Sequence, residues 1–104
     1  MSADFDFMAA SAQQKIAHLE NKLNAALSPS SVHIEDDSAA HARHAGAASG
    51  SHYTVTIVAD GFAGKARVAR HRLVYDALAA EMQRGVHALA IKAYTPQEFA
   101  GLFQ

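Results

Sequence analysis

The stretch His52 to Ala59, HYTVTIVA, sets the strongest limit on what this chain can fold into. Tyr53, Val55 and Ile57 fall on one side of an extended chain, and Thr54 and Thr56 fall on the other. β-Branched residues occupy the places that a pleat favours. A strand with one apolar face needs a cover, and the flanking sequence offers helices to provide it. Ser11-Ala12-Gln13-Gln14 has the form of a capping box, with a serine N-cap and a glutamine three residues on. Ile16, Leu19, Leu23, Ala26 and Leu27 follow at helical spacing, which predicts a helix over residues 12–27. Ser28-Pro29-Ser30 ends it, because proline has no amide hydrogen and disfavours helical geometry in the residue before it.

Val32 to Glu35 predicts a short strand. Residues 36–51, DDSAAHARHAGAASGS, are small, polar and glycine-bearing, which is loop composition. Two strands around such a loop predict an antiparallel hairpin. Asp60-Gly61-Phe62-Ala63-Gly64 reads as a turn. From about Arg67 to Arg84 the pattern is helical again, with Val68, Val74, Tyr75, Leu78 and Met82 as its apolar stripe and Gly85 as its stop. Val86 to Tyr94 predicts a third strand carrying His87, Leu89, Ile91 and Ala93 on one face. Thr95-Pro96-Gln97-Glu98 is a second capping box with proline at the first helical position, so a short helix closes the chain. Residues 1–10 show no period and are expected to be disordered, leaving residues 11–104 as a single domain. The order α-β-β-α-β-α is that of an α+β domain with helices packed on a three-stranded sheet.

Composition narrows the chemistry. The 104 residues suit one domain, and half of them are hydrophobic. No apolar run approaches the ~20 residues that span a bilayer. Met1 to Ala10 holds Asp4 and Asp6 and no Lys or Arg, unlike a signal or transit peptide, so a cytoplasmic protein is expected, without a membrane partner. There is no cysteine, which excludes disulfides, a thiol nucleophile and a thiolate metal site made by this chain alone, while there are seven histidines. The net charge of −1 conceals a polarity: residues 1–60 hold three Lys/Arg against seven Asp/Glu, and residues 61–104 hold six against three. The basic excess gathers at Lys65, Arg67, Arg70 and Arg72, a contact surface for an acidic partner or for phosphate. No Ser-His-Asp set and no Walker-type glycine loop occurs, so no enzyme is indicated. Gly61-Phe62-Ala63-Gly64 formally spells the GxxG of nucleic-acid-binding domains, but two glycines three apart are common in turns.

Four fragments in fixed order resemble the BolA family. They are Glu35-Asp36-Asp37-Ser38, Phe62-x-Gly64-Lys65, Arg70-His71-Arg72-Leu73-Val74-Tyr75 and Val86-His87-Ala88-Leu89, with Thr95-Pro96-x-Glu98 after them. The resemblance implies a class II KH-like fold, in agreement with the order read from the residues. It also implies a monothiol glutaredoxin as partner and a [2Fe-2S] cluster shared with that glutaredoxin and glutathione, with none expected on the isolated chain. In such a pair the histidine matching His87 is a cluster ligand, and the second is a His or Cys in the loop between the first two strands. Without cysteine this chain resembles the histidine-loop type. His44 is the favoured loop ligand and His41 the alternative. Imidazole suits the role, since it can replace thiolate on one iron of such a cluster. The Arg-His-Arg element makes His71 a structural signature residue. His52 and His33 are expected on the sheet surface, and His18 on the polar side of the first helix. The rival reading is a DNA-binding regulator of stress response or cell morphology, using the KH-like fold and the basic segment 65–72. A homodimer is left open.

Overall fold

The structure, a computed structural model, describes residues 6–37 and 51–103, with Ser51 and His87 described by their backbone alone. The elements are α1 (Ala12–Leu27), β1 (Ser31–Asp36), β2 (Ser51–Val58), a 3-10 turn (Asp60–Phe62), α2 (Arg67–Ala77), α3 (Ala79–Arg84), β3 (Val86–Tyr94) and α4 (Pro96–Gly101). The sheet order is β1-β2-β3. β1 runs antiparallel to β2, as the expected hairpin requires, and β3 runs parallel to β2. The parallel pair needs a crossover, and α2 with α3 supplies it. The result is the expected α+β domain.

Both capping boxes form. The Ser11 side chain accepts from the Gln14 amide while Gln14 accepts from the Ser11 amide, and Thr95 and Glu98 do the same at the start of α4. α1 stops where Ser28 turns left-handed at φ 47°, its amide donating to the Asn24 carbonyl, just before Pro29. In the turn leading to α2 only Gly64 takes a positive φ, 76°, a conformation that favours glycine. The covered face of β2, made of Tyr53, Val55 and Ile57, is buried against Leu19 and Leu23 of α1 and Val74 and Leu78 of the crossover. Each such aliphatic side chain contributes about 1.5–3 kcal/mol by leaving water. Among the described residues no helix is long and apolar enough to cross a membrane.

Three expectations need correction. The helix expected over residues 67–84 breaks at Leu78, whose φ −110° and ψ 21° lie near the bridge region. Leu78 itself is fully buried, so the break serves packing. The apolar stripe is also rotated: Val68 is 67% exposed and Tyr75 39%, and with His71 and Arg72 they line an outward groove on α2. Those four positions follow the i, i+3, i+4, i+7 spacing of one helix face. Finally, the domain begins before residue 11. Residues 7–9 make turns closed by the Ala9 and Ala10 amides on the Asp6 and Phe7 carbonyls, and Phe7 is a core residue at 3% exposure. A single aromatic anchor has no period, so it left no mark on the hydrophobic pattern.

Candidate functional site

The first candidate site is one end of the sheet. β1 leaves the sheet at Asp36, paired with Tyr53, and β2 enters it at Ser51. Because β3 is parallel to β2, it starts at this same end, with Ser51 beside Val86 and His52 beside Ala88. The register shifts between Ser51 and His52, so β3 carries one extra residue there, and that residue is His87. Asp37 and Ser51, the described residues that flank the segment 38–50, therefore lie at the sheet end where the His87 backbone lies. His41 and His44 are in that segment, outside the described residues, and the His87 side chain also lies outside them. The hairpin arm is tied at its start: the Asp37 amide donates to the His52 carbonyl at 2.7 Å, and the Thr54 hydroxyl donates to Asp37 Oδ2 at 2.5 Å. Within the acidic fragment before the loop, Asp37 thus fastens the arm through both its backbone and its side chain. His52 is half-buried, and its Nε2 lies inside the protein rather than on the sheet surface where it was expected. His33 is the surface residue expected, 3.6 Å from Glu35. Among the described residues no three His, Cys, Asp or Glu side chains converge on a metal position.

Behind β3 lies a buried charge cluster that the sequence reading missed. Glu81 is 4% exposed, and its Oε2 sits 2.5 Å from His18 Nε2 and 3.7 Å from Lys22 Nζ. Burial pushes the Glu81 carboxyl up, but the His18 hydrogen bond, its own backbone amide and the charges of Lys22 and His18 outweigh this and hold it below its ordinary value. The His18 ring also lies 5.9 Å from that of Phe7. Far from being a polar-face bystander, His18 ties α1 to α3, one turn before Gly85 leads into His87. A signal did exist: Val74, Leu78 and Glu81 share the spacing of one buried helix face.

The basic residues divide into two kinds. Arg70 is committed internally. Its Nε donates to the Lys65 carbonyl at 2.8 Å, Nη1 to the Ala93 carbonyl at 3.1 Å and Glu98 Oε1 at 2.6 Å, and Nη2 to Glu98 Oε2 at 3.0 Å. The guanidinium also lies 5.9 Å from the Phe62 ring centre, and the side chain is only 12% exposed. Its hydrogen bonds, with that of the Thr95 amide, bring the Glu98 carboxyl down to about 2, and Glu98 in turn raises Arg70. Arg70 is therefore a clamp joining α2, β3 and α4. Lys65, Arg67 and Arg72 are exposed and make no ion pair among the described residues. Lys65 and Arg67 border a cleft of about 580 Å³ beside β3, with Lys92 on its other wall, while Arg72 lies outside it, in the groove with Val68 and Tyr75. Lys92 escaped the sequence reading because it sits alone between apolar neighbours in a strand. His71 is half-buried and borders both depressions, in keeping with its position between the two arginines.

Comparison with known proteins agrees with this fold. The chain is 43% identical over 84 residues to the DNA-binding transcriptional regulator BolA of Escherichia coli (strain K12), covering 81% of this chain and 78% of that protein. It is 45% identical over 87 residues to SufE-like protein 1, chloroplastic/mitochondrial, of Arabidopsis thaliana, a match that covers 77% of this chain and only 23% of that longer protein. The solution structure of BolA1 from Mus musculus superposes with a TM-score of 0.73 at 39% identity, over 91% of this chain and 74% of that one. The family profile described as BolA-like protein matches residues 23–98, and on this match and these relatives the chain belongs to the BolA-like family.

Proposed function

We propose that this protein is a non-enzymatic iron–sulfur accessory protein that pairs with a monothiol glutaredoxin and holds or passes on a [2Fe-2S] cluster. The observation that carries the reading is the convergence at one sheet end. The backbone of His87, at the β2–β3 register shift, lies at the same sheet end as Asp37 and Ser51, the residues that flank the histidine-bearing segment 38–50. The donor set fits the cargo only in part, and that is informative. The chain has seven histidines and no cysteine, so it brings imidazole alone, and the thiolates must come from a glutaredoxin cysteine and glutathione. His87 would be the strand-borne ligand and His44 the loop ligand, with His41 as its alternative. A ligand on a connecting segment suits transfer, because such segments tolerate rearrangement better than strands do. Lys65, Arg67 and Arg72 would steer an acidic partner surface, affecting association rate more than final affinity.

The test is the mixed complex with cluster-loaded glutaredoxin. Neutral imidazole in place of anionic thiolate should shift its visible spectrum and raise its reduction potential relative to the glutaredoxin dimer. His87→Ala should abolish that change, and His44→Ala should weaken it more than His41→Ala. His33→Ala is the appropriate control, since His18 is a packing residue. An unchanged spectrum and potential with His87→Ala would mean that the chain binds glutaredoxin without ligating its cluster.

The name of the Escherichia coli relative favours a second reading, DNA binding. It would rest on Lys65, Arg67 and Arg72, and it predicts that affinity falls steeply with salt.

A further inference from the structure

We propose that the cleft beside β3 is a binding site for a small phosphorylated molecule, of the size and chemistry of a nucleotide. The cleft lies between the start of α2, the second half of β3 and α4. Lys65, Arg67, Lys92 and the Arg70–Glu98 pair border it, with Ile91, Tyr94 and Leu102 as its apolar and aromatic walls. Among the described residues the only carboxylate on its rim is Glu98, which the two-pronged contact with Arg70 already neutralises. The three remaining cations have no acidic partner among the described residues, and what sets them apart from Lys15, Arg72 and Arg84, which also lack one there, is that they border the same depression. Three like charges around one depression repel one another unless an anion joins them. A carboxylate would bring one negative charge, whereas a diphosphate brings two or more and offers oxygens to several donors at once. The volume, about 580 Å³, exceeds what a bare phosphate needs and falls within the range of small-molecule sites. The apolar walls give the organic part of such a ligand its place.

Arg70 gives the site its rigidity. By fixing the Lys65 and Ala93 carbonyls and Glu98 together, it holds the three walls in register before a ligand arrives. Less ordering is then left to the moment of binding. The inference stands apart from the cluster reading, since it rests on Lys65, Arg67, Arg70, Lys92 and Glu98 and uses neither His87 nor the segment 38–50.

The test is a titration of the full chain, at fixed ionic strength, with ADP, inorganic pyrophosphate, acetate and a single-stranded oligonucleotide, followed by amide NMR shifts and calorimetry. ADP and pyrophosphate should saturate, with shifts confined to residues 65–70, 91–94 and 98–102, and acetate should not. Lys65→Gln, Arg67→Gln and Lys92→Gln should each weaken ADP by roughly tenfold, about 1.4 kcal/mol, with unfolding temperature unchanged. Arg72→Gln removes the same charge from outside the cleft and should leave affinity alone. Equal weakening by Arg72→Gln, or shifts spread over the surface, would overturn the site in favour of general electrostatic attraction. Saturation by the oligonucleotide alone would overturn the small-molecule assignment in favour of a nucleic-acid backbone.

Discussion

Replacing His18 with leucine should destabilise the domain by about 2 kcal/mol at neutral pH, and the loss should shrink as the solution is acidified. Glu81 has a side chain 6% exposed, and its Oε1 has no hydrogen-bond partner among the described residues. Everything that stabilises its charge from other side chains arrives at Oε2, from His18 at 2.5 Å and Lys22 at 3.7 Å. A hydrogen bond to a charged group contributes about 1.5–3 kcal/mol, and the 25% exposure of the His18 side chain argues for the lower half of that range. Leucine keeps most of the volume beside Phe7, so the packing loss is small. For a domain of this size the melting temperature should fall by about 10 °C. The pH dependence is the sharper part. In the native protein the Glu81 carboxyl is held below its ordinary value, so its stabilisation is present above that value and is lost as pH falls through the lowered one. Without His18 two of the lowering influences disappear, while burial, the largest influence, still pushes the carboxyl up against the backbone amide and Lys22. The Glu81 carboxyl of the variant therefore lies higher than that of the native protein, and less of its charge-dependent stabilisation is left to lose in acid. The difference between the two proteins, measured by urea unfolding with circular dichroism, should narrow from pH 7 to about pH 4. A difference that is constant with pH, or grows in acid, would refute the assignment of Glu81 as a charge held by His18.

Two other perturbations probe the free edge of β3. Tyr75→Phe removes the hydroxyl that donates to the Leu89 carbonyl at 3.2 Å, and it should cost about 1 kcal/mol in urea unfolding. Because that carbonyl then stands open on an edge strand, sedimentation should also show more self-association than in the native protein. Glu98→Gln should remove an acid limb: with the carboxyl lowered from 4.5 to about 2, its stabilisation is present above pH 4.5 and fades as pH falls towards 2. Native and variant unfolding curves should therefore converge in strong acid, and a gap that persists at pH 2 would show that Glu98 acts through packing rather than charge.

The elements with strong local signals were legible in the sequence. Alternation marked β2, and two capping boxes with Pro29 and Gly85 marked the helix ends, so α1 and β3 have the bounds that the pattern gives. What escaped was set by tertiary contact. Phe7 is one residue without a period, the break at Leu78 reflects how the crossover settles on α1, and Glu81 looks like any helix-surface glutamate until its spacing from Val74 and Leu78 is counted. Arginines 70 and 72 read identically in sequence, yet Arg70 clamps three elements and Arg72 is exposed on α2. The distinction follows from the helix, where residues two apart point in different directions. It changes how a basic segment is to be tested. Neutralising both arginines would confuse loss of the fold with loss of a partner, because the Arg70 change alone leaves Glu98 without its partner and the Ala93 carbonyl exposed on the β3 edge. Lys65, Arg67 and Lys92 are the positions at which charge can be removed and binding read separately from stability. They come from the turn after Gly64, from α2 and from β3, and the parallel pairing of β3 with β2 and that turn bring them to one cleft.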